Sequence, residues 1–230
     1  MAGPSTNAMK GVNGYGDELS AEAIAAGQHR LAVGGMWKEI GRLQFDFVRG
    51  RGLQPGHAFA DVGCGCLRGG LHFIDYLAPG RYHGLDINAS LIEAGRQEVN
   101  AAGLSAKAPR LLVDDGFRVR RFETRFDCML SLSLFTHLPI NHILRCLAEA
   151  RRALKPEGVY YASYFEAPSP LFLEPLRHQP GDVVTCFDQD PFHLAFDELA
   201  AMAAHAGLRA ERIGAWNHPR NQMMAAFRVA

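Results

Sequence analysis

At 230 residues, 48% of them hydrophobic, the chain is long enough to bury a substantial core, and its length suits one large α/β domain better than two. Its 24 Lys and Arg balance 24 Asp and Glu, so no global field gathers nucleic acid or anionic lipid. Five scattered cysteines, with Cys64 and Cys66 close together, offer neither a disulfide framework nor a paired zinc-ligand spacing, and no run of about 18 apolar residues occurs. The expectation is a soluble cytoplasmic protein with no membrane, nucleic-acid or metal partner.

Residues 1–20, MAGPSTNAMKGVNGYGDELS, carry no apolar period and are expected to form a flexible tail. From Ala21 the pattern turns helical, and N-terminal helices are expected over 21–50. Met36, Ile40, Leu43 and Phe47 keep the spacing that places them on one face until Gly50 and Gly52 stop the helix. His57–Val62 (HAFADV) reads as a strand running into GCGCLRGG, after which Leu71, Ile74 and Leu77 recur at helical spacing before Pro79-Gly80.

The unit then repeats. RYHGLDI is a second strand, and Ser90 with Glu93 offers a capping box for a helix carrying Leu91, Ile92 and Val99 and ending at Gly103. RLLVDD and FDCMLSLSL supply the third and fourth strands. Pro139 stands at a first helical position before Ile140, Ile143, Leu147 and Leu154, and a KPEG turn leads to the strand GVYYASYF. Such alternation predicts a Rossmann-like, doubly wound, mostly parallel sheet within a single domain over 21–230.

After Phe165 the rhythm breaks. The stretch from Glu166 to His193 holds five of the twelve prolines and no clear period, and is expected to be a lid insertion over about 166–195. A helix from about Phe196 to Ala206 follows, ended by Gly207. AERIGAW and QMMAAFRV, joined by NHPRN, then predict a terminal antiparallel hairpin that makes the sheet seven-stranded.

An open parallel sheet binds ligands beyond the carboxyl ends of its strands, beside the first strand, which makes Gly63–Gly70 the expected cofactor loop. Gly63 and Gly65 allow a sharp turn and a close backbone approach, while the next helix offers free N–H donors. Asp86 ends the second strand about twenty residues on, where a carboxylate accepts from both hydroxyls of a ribose. Asp114 and Asp115 close the third strand, within reach of an adenine amine or of solvent.

DVGCGCLRGG, GLDIN, LLVDDG and FDCMLSLSLFTHL, in this order and spacing, resemble motifs I to IV of the class I S-adenosylmethionine (SAM)-dependent methyltransferases; the resemblance covers roughly Ala58 to Ala230. It implies that Asp61 shapes the loop, Gly63, Cys64 and Gly65 approach the methionine part of SAM, Asp86 holds the ribose and Ile87 packs on adenine. It also implies that Asp114 or Asp115, with Gly116, meets the adenine amine, and that Ser131 lies on the cofactor side. The terminal hairpin belongs to the same pattern and has no place in an ordinary NAD domain. One departure stands out: Leu67 replaces the third glycine of GxGxG. Arg68 beside it, and Arg30 near the N-terminal helix, are candidates for the SAM carboxylate.

Methyl transfer is an in-line displacement, so the protein supplies alignment and desolvation and needs a base only when the nucleophile keeps a proton. His137, His193 and His218 are the candidate bases, because an unperturbed imidazole has a pKa of about 6.5, and His137 and His193 also border the expected acceptor space. Trp37 and Trp216 are candidates to wall that space and Arg220 to recognise an acidic acceptor, against the plainer readings of core packing and an ordinary basic turn. The expected activity is O- or N-methylation of a small molecule. Alternatives are a peptide or protein acceptor, a non-catalytic SAM-binding protein, and an NAD oxidoreductase. The exposed insertion would offer a face for pairing in a homodimer.

Overall fold

The computed structural model describes residues 14–230; the rest of the expected tail lies outside the described residues. Two short helices, α1 (Ala21–Ala25) and α2 (His29–Ala32), lead to α3 (Trp37–Gly50). Along α3 the residues Ile40, Gly41, Gln44, Phe45 and Val48 are buried, with Leu43 and Phe47 packed beside them. Met36, expected on that face, is instead the exposed residue before the helix, in a left-handed conformation with φ 48°.

Three strand–helix units follow: β1 (Phe59–Val62), α4 (Gly70–Tyr76), β2 (Tyr82–Asp86), α5 (Ala89–Ala101), β3 (Arg110–Val113), β4 (Phe126–Ser131) and α6 (Ile140–Ala153), ending in β5 (Leu154–Glu166). The insertion contributes a small hairpin, β6 (Leu176–His178) with β7 (Val183–Thr185), and a two-residue strand, β8 (His193–Leu194). The chain closes with α7 (Phe196–His205), β9 (Leu208–Ala215) and β10 (Met223–Val229). The sheet order is β3-β2-β1-β4-β5-β10-β9, with β8 pairing alongside the end of β5. Strands β1 to β5 are parallel, and β10 runs antiparallel to both β5 and β9. This is the expected doubly wound sheet with its terminal hairpin, extended by one short strand from the insertion.

Alternation along β1 builds both faces. Ala60 and Val62 join the cluster under α6 and α7 that includes Phe135, Leu147 and Phe227. Phe59 points the other way, into the cluster of Phe45, Phe73 and Leu77, and stacks on Phe73 with ring centroids 4.3 Å apart. A fully buried phenylalanine contributes about 1.5–3 kcal/mol relative to exposure, so the strand is fixed from both sides. Parallel pairing then brings the carboxyl ends of β1, β2 and β4 into one line, because Asp61 lies opposite Gly84 on one side and Leu130 on the other.

The N-terminal helices are pinned to α5. Glu98, 8% exposed, accepts from Nε of Arg30 at 2.7 Å and lies 2.7 Å from Nε2 of His29. No helix among the described residues is long and apolar enough to cross a membrane.

Candidate active site

Immediately after β1 the backbone turns back on itself. Gly63 (φ 77°) and Gly65 (φ 52°) occupy the left-handed region, and a Cβ on Gly65 would stand 2.8 Å from Cγ1 of Val33. Leu67, in place of a third glycine, also takes a positive φ of 71°, and its fully buried side chain fills the space left by Gly70 and Gly95. The loop therefore keeps its turn, with leucine packing under α5 offsetting a left-handed cost of about 1–2 kcal/mol.

Asp86, at the end of β2, holds this loop. Its Oδ2 accepts from the Gly65 N–H at 2.8 Å and its Oδ1 from the Asn88 N–H at 2.9 Å. Burial raises its pKa, and those N–H groups oppose the rise. Asn88 caps α5 by accepting from the Leu91 N–H at 3.1 Å, and Ser90 Oγ donates to it at 2.6 Å. The capping box expected of Ser90 and Glu93 gives way to this earlier cap, since Asn88 already has the extended backbone a cap needs. Asp61 accepts from the Tyr82 hydroxyl at 2.8 Å, and burial pushes its carboxyl up to about 7.

Asp61, Gly63, Gly65 and Asp86 line a cavity together with an apolar set: Leu132, Leu134, Leu138, Phe165, Val183 and Pro191. The insertion closes it from one side and the segment at Tyr15–Gly16 from another. His137, in the turn after β4, lines the cavity, with Nδ1 against the carboxylate of Asp190 and Nε2 2.9 Å from the Tyr15 hydroxyl. Burial and the nearby Asp190 push the Tyr15 phenol up to about 12, so it stays protonated and donates. Nδ1 then carries the imidazole proton and the Nε2 lone pair accepts from the Tyr15 hydroxyl. Tyr15 is itself latched: Asn88 Nδ2 donates to the carbonyls of Tyr15 and Asp17, and the Leu19 N–H donates to Ser90 Oγ at 2.9 Å. The described end of the expected tail is thus packed on the corner between β2 and α5.

A third group is basic. Nη1 of Arg68 donates to the carbonyls of Val33 at 2.7 Å and Gly35 at 3.0 Å, and Nη2 of Arg220 donates to Gly34 at 2.7 Å. Burial, then repulsion from Arg220, lowers the Arg68 pKa to about 10.

Of the sequence candidates, Asp61, Gly63, Cys64, Gly65, Arg68, Asp86, Ile87, His137 and Arg220 come together around this cavity. Others do not. Arg30 pairs with Glu98 and lies over Trp37, 5.0 Å from its ring centroid, so both serve the N-terminal packing. Asp114 is held by the Gly116 and Arg118 N–H groups and by the Arg118 and Arg121 guanidiniums. Burial alone would raise its pKa, but these donors lower it. Asp115 pairs with Arg118, and Gly116 donates to Asp114; all three build the turn after β3 and none faces the cavity. Ser131, fully buried, donates to the Val62 carbonyl at 2.9 Å and meets the Tyr160 hydroxyl at 2.6 Å.

His193 is a correction with a clear cause. Its Nε2 faces the Phe172 carbonyl and must carry the proton, so Nδ1 accepts from Thr185 Oγ1 at 2.8 Å, which in turn accepts from His178 Nε2 at 2.9 Å. No lone pair is left for a base, and His193 borders a separate outer groove with Phe187 and Ile140. His218 accepts the Arg220 N–H on Nδ1 and stacks against Trp216, 5.3 Å between centroids. Burial and the two arginines drive its pKa to about 3, too low for a base at neutral pH. Trp216 packs on Phe47 in the core. Cys64 and Cys66 are buried, and burial pushes both thiols upward, Cys66 to about 12. Sequence reasoning missed Tyr15, Gln44, Asp190 and Gln222, because nothing in their local pattern separates them from tail, helix core, lid and strand entry.

Residues 60–160 match the model of a methyltransferase domain family. Over that stretch the chain resembles a methyltransferase domain. Its fold matches the CcbJ methyltransferase from Streptomyces caelestis with a TM-score of 0.69 at 17% identity, covering 95% of this chain and 99% of that one. Magnesium protoporphyrin IX methyltransferase from Synechocystis, solved with bound SAM, aligns at 0.61 and 13% identity over 84% of this chain and 81% of that one. The glycopeptide N-methyltransferase MtfA, complexed with SAM, aligns at 0.60 and 16% identity over 83% of this chain and 94% of its own. These methyltransferases share with the domain a doubly wound sheet, and the domain's cavity lies at the switch point between β1 and β4.

Proposed function

We propose that the protein transfers a methyl group from SAM to an oxygen of a small-molecule acceptor, with His137 as the general base. The observation that carries this reading is the meeting, in one cavity, of the Gly63–Gly65 turn and Asp86 with a histidine whose Nδ1 is held by Asp190.

The residues fit the cofactor. A Cβ at Gly63 or Gly65 would stand 3.0 Å from Leu134 or 2.8 Å from Val33, so only glycine lets these side chains close on the turn, and the turn itself lines the cavity. Asp86 would hold the ribose and the Gly63–Gly65 turn the amino-acid part, with Ile87 and Leu91 beside the base. Bound there, SAM supplies an electrophilic methyl on a sulfonium. His137 takes the proton of an attacking hydroxyl through Nε2, and Asp190 stabilises the imidazolium that results. The apolar wall of Leu134, Leu138 and Phe165 excludes water, which strengthens these charge interactions. Oxygen is favoured over nitrogen because a hydroxyl keeps the proton that such a base removes. Closure by the insertion favours a small acceptor over a peptide.

Calorimetric titration with SAM, S-adenosylhomocysteine (SAH) and NAD in parallel tests the cofactor before any acceptor is identified. Micromolar binding of the two adenosyl ligands with none of NAD is expected. Binding of NAD, or silence toward SAM and SAH, overturns the reading.

A further inference from the structure

The basic end of the cavity holds more positive charge than its neighbours answer. Arg68 is 9% exposed, its Nη1 is bonded to two backbone carbonyls, and its buried Nε has no partner among the described residues. Arg220 reaches the Gly34 carbonyl and pairs with no carboxylate among the described residues. Both guanidiniums are clamped on one turn, Val33–Gly34–Gly35, in which Gly34 has φ 86° and a Cβ would come within 2.8 Å of Arg220 Nη1. The turn therefore aims the arginines without neutralising them. Beside them Gln44, 4% exposed, lines the cavity, and its side-chain amide makes no hydrogen bond within the described residues. Holding two like charges and a bare amide half out of water costs stability unless a ligand repays it, because buried polar groups are normally satisfied.

The two arginines come from different parts of the fold. Arg68 belongs to the loop after β1, next to Gly65 and Gly69, on the side proposed for the cofactor's amino acid. Arg220 belongs to the β9–β10 turn and lies against the insertion, where a Cβ on Gly181 would stand 2.6 Å from the Arg220 Cα. One carboxylate, the cofactor's own, answers one guanidinium. The other, seated between lid and terminal turn, is left for the second substrate.

We infer that the methyl acceptor carries an anionic group, a carboxylate or phosphate, bound by Arg220 at the lid side of the cavity, while Arg68 serves the carboxylate of the cofactor. A guanidinium pairs with such groups through two parallel N–H bonds, which fixes orientation as well as affinity. The inference rests on the methyl-transfer reading, and the test keeps the two apart.

Full-length protein is first saturated with SAH, and binding of benzoate, inorganic phosphate and the neutral benzamide is then measured by calorimetry. The anions are expected to bind the SAH complex at least about tenfold more tightly than benzamide. Arg220→Gln is expected to erase that preference while SAH affinity stays within about twofold; Arg220→Lys, which keeps the charge, retains part of it. Three results overturn the inference: no preference for the anions, a preference that Arg220→Gln leaves intact, or anions and SAH excluding one another, which would assign both arginines to the cofactor. Absence of SAH binding in the first step removes the methyl-transfer reading, and this inference with it. Thermal melts of both variants check folding; should Arg220→Gln fail to fold, the wild-type preference and its weakening in Arg220→Lys decide the matter.

Discussion

The Tyr15 hydroxyl donates to Nε2 of His137 across 122 residues of chain, a contact of 2.9 Å at the mouth of the cavity. Under the proposed mechanism it marks the place an acceptor hydroxyl must take. His137→Ala is expected to lower kcat about 10²–10⁴-fold with SAH affinity unchanged, and Asp190→Asn to lower it in the same direction. Tyr15→Phe is expected to lower the acceptor KM while kcat holds, because it vacates Nε2. Steady-state kinetics on an acceptor found by screening separate these outcomes; a kcat loss in Tyr15→Phe equal to that in His137→Ala would instead put Tyr15 in the proton path.

Asp86 joins the glycine loop to the corner before α5 through the Gly65 and Asn88 N–H groups. Asp86→Ala is expected to weaken SAH binding by about 1.5–3 kcal/mol, the scale of hydrogen bonds to a charged group. Calorimetry reads this directly, and unchanged affinity would remove the ribose assignment.

Gly41 carries α3 past the glycine loop so closely that a Cβ there would stand 2.5 Å from the Arg68 carbonyl oxygen. Gly41→Ala is expected to cost about 1–3 kcal/mol of stability by overpacking, measured by urea unfolding. SAH affinity should fall with it, because the displaced backbone carries Arg68. A neutral substitution would show that α3 shifts freely over the loop.

His218 is held neutral, its pKa lowered to about 3 chiefly by burial, and burial lowers His83 and His178 as well. A depressed folded-state pKa gives stability that is complete above the unfolded value near 6.5 and is lost as pH falls toward 3. Thermal midpoints of the wild type are therefore expected to drop between pH 6.5 and 4, and to drop less in His218→Gln. Parallel curves for the two proteins would contradict the assignment.

The strands and helices were legible because each has its own short-range signature. Ala60 and Val62 alternate with Phe59, the glycines of GCGCLRGG announce a turn, and Asp86 closes the next strand. The errors fall where side chains of the right chemistry are already satisfied. Arg30, Asp114 and His193 have the composition of site residues, yet Glu98, the guanidiniums of Arg118 and Arg121, and Thr185 with the Phe172 carbonyl engage them. No periodicity reports such partners, since they are supplied from elements distant in sequence.

Sequence by itself determined the doubly wound sheet, the place of the glycine loop at its switch point and the carboxylate opposite it, because backbone sterics and burial period act over a few residues. Only the tertiary structure decided which histidine faces the cavity, that Asp190 of the insertion fixes its tautomer, and that Arg68 and Arg220 converge on one turn. Those pairings join segments tens to more than a hundred residues apart. They arise when the sheet brings its strand ends together, and they depend on through-space geometry that no local pattern encodes.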